Sequence, residues 1–503
     1  MSTIKKHKTL GQVYTPEWIV SEILDNVGYK GNHILKKYIF EPACGDGAFL
    51  QEIVKRYICA SAEKGYSQSE IIKDLETFVV AIEIDETAYK SCLNRLDKIV
   101  SDFMAQEVKL NWQIYNDNTL HRYKDFKNYF DFVVGNPPYI RIHNLDMETR
   151  KLLKQKFLFA VGTIDIYISF FEIAFFVVKP NGQIGYITPN SFLHNASYKT
   201  FRSFLQAQKH LKTLIDFKSH KVFEGFSTYT AISVFSELPN RDYFIYKEMR
   251  EGQIKEVNQI AFDELTPQKW NLTDSNSELF LEDLFKNKNT MLKDFFDVQY
   301  GFATLRDKIF IGKVQEFDAE NFLFNGHLVE KEILKKIVKG SRYKGEVNEI
   351  EYILFPYSYN GKKYQALPEE VLKKHLPNAY KYLLLNKQEL EKRDLDKGVA
   401  WFEFGRSQGI QTIHQEKIIL STLANEKINY HKVDKDTMLY SGIFITKKHP
   451  NTPWDLIENV LTSEDFFRYI RITGKDFSSG YKSISTKQIK EYRVDYNNPE
   501  TLF

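Results

Sequence analysis

Short apolar runs that end at glycines or acids alternate with stretches whose apolar residues recur every three or four positions. Tyr38-Ile39-Phe40 stops at Glu41, and Phe78-Val79-Val80-Ala81-Ile82 stops at Glu83-Ile84-Asp85. Trp112-Gln113-Ile114-Tyr115 runs to Asp117, and Phe132-Val133-Val134 stops at Gly135. Apolar runs this short, closed by turn residues, predict buried strands. Ile19, Val20, Ile23 and Leu24 repeat at helical spacing, and a further helix is expected from about Ala48. The almost wholly apolar run Asp165–Val178 predicts a buried helix closed by Lys179-Pro180-Asn181-Gly182. Further strands are expected at 182–191, at Leu214–Phe217, and over Val222–Phe235 around a glycine-containing loop. Strands that each end in a polar group, with helical stretches between the first of them, predict a doubly wound α/β domain with a parallel sheet.

In open α/β sheets ligands bind at the carboxyl edge. The fourth strand ends there at Asn136-Pro137-Pro138-Tyr139. An exocyclic amine of a nucleobase is a poor nucleophile, because its lone pair is delocalised into the ring. Two fixed acceptors can draw that nitrogen toward a tetrahedral lone pair. The Asn136 side-chain carbonyl and the Pro137 backbone carbonyl are suited to this, with Pro137 and Pro138 holding the chain stiff. Fixed carbonyl dipoles also stabilise positive charge as it develops on the nitrogen. Tyr139 offers a flat face to a base. The plain alternative is a turn that ends a strand.

The other strand ends suit a cationic ligand. Glu41-Pro42-Ala43-Cys44-Gly45-Asp46-Gly47 is a Gly-x-Gly turn between strand and helix, which lets the backbone approach a ligand closely. It lacks the third glycine of the dinucleotide fingerprint and the Gly-Lys-Ser/Thr of a phosphate loop. Glu41 and Asp46 are wrong for phosphate and right for an amino group beside a sulfonium. Glu83, with Asp85 as the fallback, stands where an acid holds ribose hydroxyls. Asp117 is placed to accept from an adenine amino group. Thr15-Pro16-Glu17 predicts an N-cap followed by Pro at the first helical position, with free N–H groups that suit a carboxylate.

Composition narrows the picture. The 503 residues, 43% hydrophobic, are enough for a large core and two domains. Net charge is only +3, so nucleic-acid binding would need a local basic face. Three cysteines, Cys44, Cys59 and Cys92, are too few for a disulfide framework or a zinc site, and no metal is expected. Neither a signal peptide nor a membrane span is apparent, which makes a cytoplasmic protein the expectation. No Pro-Cys dipeptide is present, which argues against covalent carbon methylation of cytosine.

Taken together, these stretches resemble the γ-class N6-adenine DNA methyltransferases of the TaqI and Eco57I type, most strongly from Gly11 to Phe235. The order of parts is the same: cofactor loop, Asn-Pro-Pro-Tyr, then a target-recognition domain. The resemblance implies a Rossmann-like methyltransferase domain over 1–240, a connecting region over 241–290, and a mixed α+β DNA target-recognition domain over 291–503. It implies S-adenosylmethionine as cofactor, contacted by Thr15, Glu41, Ala43, Gly45, Glu83, Asp117 and Phe170. Asn136, Pro137 and Tyr139 would form the catalytic pocket. Phe223, expected as an exposed aromatic, would stack on a flipped adenine against Tyr139, with Phe226 as a substitute.

In the C-terminal half, Lys335–Lys344 is the densest basic stretch and interleaves aromatic and glycine residues, as a phosphate-contacting loop would. Lys336, Lys339, Arg342, Lys344, Arg406, Tyr481 and Lys482 are the candidate DNA contacts. Duplex DNA is the expected partner, the chain is expected to act as a monomer, and a separate restriction endonuclease is its expected counterpart. No room for a nuclease domain is seen before Thr15. The other readings are an RNA-base or glutamine methyltransferase using the same pocket, and a catalytically dead DNA-binding specificity module.

Overall fold

In the computed structural model, the described residues are 15–495 apart from 219, 224–228, 237–240, 269, 271, 396–397, 407–408, 476 and 478–479. Gly11–Tyr14, Phe226 and the expected boundary at Pro239-Asn240 lie outside them. The chain divides into two units between Ser275 and Asn276.

The first unit is built on a nine-stranded sheet in the order β3-β2-β1-β4-β5-β7-β6-β8-β9. In chain order its elements begin with α1 (Glu17–Asn26), β1 (Ile39–Glu41), α2 (Ala48–Glu63), α3 (Gln68–Phe78), β2 (Val79–Glu83), α4 (Glu86–Met104), β3 (Gln113–Asn116) and β4 (Phe130–Gly135). Then come α5 (Met147–Lys156), α6 (Tyr167–Val177), β5 (Val178–Pro189), α7 (Lys199–Gln208), β6 (Leu211–Asp216), β7 (Thr230–Ser236), β8 (Tyr243–Arg250) and β9 (Gln253–Ala261). Strands β3, β2, β1, β4 and β5 run parallel, and β7 is antiparallel to both β5 and β6. The strand order reverses at β1, whose neighbours are β2 on one side and β4 on the other. A crevice at the carboxyl ends of β1 and β4 follows from that reversal.

Strand alternation sorts side chains onto two cores. Phe40, Val80, Ile82 and Val133 share one core with Tyr167 and Phe171 of α6. Ile39, Val79, Ala81 and Val134 share the other with Ile19 of α1, Leu50 of α2 and Leu96 of α4. Helix α6 is apolar almost all round because nearly all of it is buried. Strand β5 takes in Pro180 and Asn181, expected to close a helix, by shifting register between Phe130 and Phe132 of β4.

The first unit continues past the boundary expected at 240. Strands β8 and β9 fall in the stretch read as a connection, yet β8 pairs parallel with β6, and β9 pairs with β8. Polar residues mask this extension in the sequence, because β9 has only one buried residue.

The second unit is mixed α+β. One four-stranded antiparallel sheet joins Phe296–Tyr300, Ile443–Lys447, Lys417–Leu420 and Tyr430–Val433. A second joins Ile311–Gly312, Glu351–Leu354, Leu334–Lys339 and Met438–Tyr440, the last pair parallel. Helices Trp454–Thr462 and Glu464–Thr473 pack on the first sheet through Ile457, Leu461, Phe466 and Ile470.

Candidate functional site

The Gly-x-Gly turn after β1 is held at both ends by backbone bonds. Cys44 N–H donates to Ile82 O at 3.0 Å, and Gly47 N–H donates to Cys44 O at 2.9 Å. Gly45 and Gly47 both have positive φ, +54° and +90°. A Cβ at Gly47 would lie 2.7 Å from Cys92 Sγ on α4, so the turn presses against that helix. A Cβ at Gly45 would meet nothing within 4 Å, which leaves open space beside the turn.

Glu41 ends β1 and is 2% exposed, with Oε2 buried and without a hydrogen-bond partner among the described residues. Burial raises its carboxyl well above the usual range, and Cys92, Glu83 and Asp46 add to the rise. Gly135 lies against it: a Cβ there would come 3.4 Å from Glu41 Cγ. An isolated buried carboxylate costs free energy unless a cation meets it. A cationic group is the ligand this arrangement favours.

Glu83 at the end of β2 is also buried. Its Oε2 accepts from Gly45 N–H at 2.7 Å, and its Oε1 accepts from Asp85 N–H at 2.8 Å. Burial still raises its carboxyl overall, against those two bonds. The structure thus ties Glu83 to the Gly-x-Gly turn. Asp85 instead caps α4, accepting from Ala88 N–H at 2.9 Å.

Asp46 and Asp117 each have an arginine of the protein beside them. Asp46 pairs with Arg95 of α4 at 2.7 Å, so its charge is already met by a cation of the protein. Asp117 accepts from Asn118 N–H at 2.7 Å and pairs with Arg122 at 3.2 Å; those contacts hold its carboxyl below the ordinary value, the backbone bond most. Arg122 in turn lies over the Tyr115 ring at 3.8 Å. Its position one turn beyond Asp117 was the available signal for it. Ala43 is half-buried, and Phe170 is buried on α6 in the same core as Phe40.

Thr15 does not cap α1. The helix begins after Pro16, with no side-chain cap bond. Thr15 is buried, and its Oγ1 accepts from Asn136 Nδ2 at 3.0 Å. That bond joins the chain just before α1 to the end of β4. Pro137 is buried, and Pro138 and Tyr139 are half-buried. Tyr139 OH donates to Ile187 O of β5 at 3.2 Å, and burial pushes its hydroxyl well above the usual range. A neutral tyrosine fixed at its far end presents a ring rather than a base.

Phe223 departs from the expectation of an exposed ring. It is 3% exposed and packs in the core with Phe217 and Ile232. Its ring stands edge-on to Tyr139, centroids 6.3 Å apart and planes at 64°. Two parallel faces with room for a base between them need roughly 7 Å, twice the ~3.5 Å contact distance. The pair as it stands is therefore closed.

In the second unit the basic stretch is not a loop throughout. Lys336 and Lys339 lie on the strand Leu334–Lys339, and only Arg342 and Lys344 follow in the turn. Lys336, Arg342 and Lys344 are exposed, and Lys339 lies over the Tyr440 ring at 5.6 Å. Arg406 donates to Asp394 O at 2.7 Å, so its guanidinium is held against the unit itself. Tyr481 is exposed and Lys482 half-buried on the short strand Lys482–Ser483. Among the described residues no cluster of three or more His, Cys, Asp or Glu is set to hold a metal. No described helix is long and apolar enough to cross a membrane.

A strand order reversing at β1, with a glycine turn, buried acids and Asn-Pro-Pro-Tyr at its carboxyl edge, defines a Rossmann-like α/β domain. Residues 49–223 match the Eco57I restriction-modification methylase family, in agreement with the resemblance read from the sequence. Over 99% of its length the chain is 25% identical to the Type II restriction enzyme and methyltransferase RM.Eco57I of Escherichia coli. It is also 25% identical, over 64% of its length, to the Type II methyltransferase M.BstVI of Geobacillus stearothermophilus. The chain spans 58% of the first relative and 63% of the second. Among solved structures, the Type IIL restriction-modification enzyme MmeI in complex with DNA has a similar fold. The TM-score is 0.61 at 14% identity, over 97% of this chain and 66% of that one.

Proposed function

We propose that the chain moves the methyl group of S-adenosylmethionine to the N6 amine of an adenine flipped out of duplex DNA, within a restriction–modification system. The observation that carries this is the buried Glu41, one oxygen of which has no hydrogen-bond partner among the described residues, lying against Gly135 directly before Asn136. It sets a cation-seeking acid beside the proline corner suited to an amine. The matched methylase family and the Type II methyltransferase relatives support the same reading.

The residues fit the cofactor. The open space beside Gly45 admits a ligand, Glu41 suits its amino group, and Glu83 retains lone pairs for ribose hydroxyls. Ala43, Asp117 and Phe170 complete the proposed cofactor set, and Asp46 contributes by anchoring the turn through Arg95. When bound, the cofactor supplies an electrophilic methyl group on a sulfonium.

The chain's own residues do the rest. Thr15 fixes the Asn136 amide, whose carbonyl accepts one N–H of the target amine, and Pro137 O accepts the other. Tyr139, locked by Ile187 O, supports one face of the base, and Phe223 supports the other after turning from its edge-on position. Flipping costs a few kcal/mol of stacking and pairing, which those two rings offset in part.

Incubation with labelled S-adenosylmethionine and duplex DNA, RNA or protein tests the proposal. Label on adenine of duplex DNA is the expected result. Label on RNA or protein alone would replace DNA with that substrate. Cofactor binding without transfer to any of them would favour a DNA-binding module.

A further inference from the structure

Residues 357–366 of the second unit form a β-hairpin of strands Tyr357–Tyr359 and Tyr364–Ala366, with Tyr357 opposite Ala366, Ser358 opposite Gln365 and Tyr359 opposite Tyr364. Its two faces differ. Tyr357 is buried against the body of the unit and Tyr364 half-buried on it, while Tyr359, on the same face nearer the tip, is 50% exposed. Tyr357 OH accepts from Phe404 N–H at 2.9 Å, the Tyr364 ring meets Phe355 at 5.6 Å, and the Tyr359 ring meets His414 at 5.5 Å. Alternation then turns Ser358 and Gln365 to the opposite face.

The hairpin is held rigidly along one edge and at its tip. Gln411 Oε1 accepts from Tyr364 N–H at 2.8 Å, and Gln411 Nε2 donates to Tyr364 O at 3.0 Å, as a neighbouring strand would. Asn360 Oδ1 accepts from Lys362 N–H at 3.1 Å and from Lys363 N–H at 3.0 Å, and Gly361 takes the positive φ of +87° that the turn needs. Asn360, Gly361, Lys362 and Lys363 are all exposed. Neither lysine is in an ion pair among the described residues, and residues 357–366 contain no acid.

A stiff two-stranded ribbon matches the major groove of B-DNA, which admits such a ribbon. Here the basic tip is in no ion pair among the described residues, and the outer face carries the exposed Gln365 amide, whose Oε1 accepts only a long 3.3 Å bond from Asn360 Nδ2 at the same exposed tip. An apolar partner is a poor match, because the outer face and the tip are polar. We infer that this hairpin enters the major groove, where Gln365 reads a base edge beside Ser358 and Lys362 and Lys363 contact flanking phosphates. Gln is suited to the N6/N7 edge of adenine. The inference rests on duplex DNA being the substrate.

The chain is expressed in a host lacking DNA methylation, and methylated bases are mapped across the genome for wild type, Gln365→Ala and Lys362→Ala/Lys363→Ala. The expected result is a wild-type motif that loses discrimination at one base pair in Gln365→Ala, by roughly tenfold. In the double lysine variant the motif should be kept, with weaker purified-protein binding to duplex DNA and a salt slope reduced by about 2. An unchanged motif in Gln365→Ala together with an unchanged salt slope in the lysine variant would overturn the inference and leave the proposed function standing. A Gln365→Ala variant that loses all methylation, with the lysine variant's slope unchanged, would also overturn it. No methylated DNA from wild type would instead remove the proposed function, and this inference with it.

Discussion

Asn136 Nδ2 donates to Thr15 Oγ1 at 3.0 Å, joining residues 121 positions apart in the sequence. The bond turns the amide NH2 toward the start of α1 and its carbonyl oxygen to the other side of the side chain. Thr15 thereby acts on the proposed chemistry through Asn136 rather than as a helix cap.

Thr15→Val should therefore lower the rate of methyl transfer more than it weakens cofactor binding. Misplacing a reacting group by about 1 Å costs on the order of 100-fold, and Thr15→Ser should restore most of the rate. Single-turnover transfer and cofactor titration, measured on the same preparations, check this. Equal losses in rate and cofactor affinity would make Thr15 a cofactor contact only.

Glu41 sets function against stability. Burial raises its carboxyl in the folded protein above the unfolded value, so the folded state holds a proton that the unfolded state has lost. Its contribution to stability is then greatest at pH values below the unfolded pKa and falls as pH rises toward the raised folded value. Glu41→Gln should flatten this part of the pH dependence and raise the melting temperature of the cofactor-free protein at alkaline pH, by on the order of 2–4 °C per kcal/mol gained. It should also abolish cofactor binding. For the wild type, affinity for the cationic cofactor should rise with pH as Glu41 loses its proton. Differential scanning calorimetry and isothermal titration over a pH series measure both effects.

The edge-on packing of Tyr139 and Phe223, 6.3 Å apart, means that a base must displace Phe223 to lie between them. Phe223→Leu keeps most of the buried volume and removes the flat face, at a stability cost under about 1.5 kcal/mol. It should reduce the extrahelical population of 2-aminopurine placed at the target position, read by fluorescence. An unchanged signal would take the stacking role from Phe223.

The exposed side chains Lys336, Arg342 and Lys344 should each release counterions on binding duplex DNA. Replacing all three with Ala should reduce the slope of log affinity against log salt by about 2 to 3. Arg406→Ala should change the slope little, because its guanidinium is already bonded to Asp394.

Much of the first unit was legible because its strands are short apolar runs ending in polar groups. Glu41, Glu83 and Asn136 all fall at the carboxyl edge as the pattern implies. What the pattern hides is pairing across the chain. Asp46 reads as a free acid until Arg95 on α4 is brought beside it, and Thr15 reads as a cap until β4 delivers Asn136. Strand β9 is hidden because it is the sheet edge and buries one residue, whereas β8 carries a period-two signal, with Phe244, Tyr246 and Glu248 buried, inside a stretch whose ends are polar. Phe223 reads as exposed because Gly225 follows it closely in the sequence, whereas its packing depends on β6 and β7. The hairpin at 357–366 has no apolar run at all, and only its register and its bonds to Gln411 reveal it.

The most direct measurement of the central claim is transfer of label from S-adenosylmethionine to duplex DNA by the wild-type chain and by Asn136→Ala, with cofactor binding measured in parallel. Label on the N6 position of adenine is expected with wild type, and loss of transfer with retained cofactor binding is expected in Asn136→Ala. Undiminished transfer by Asn136→Ala would contradict that claim.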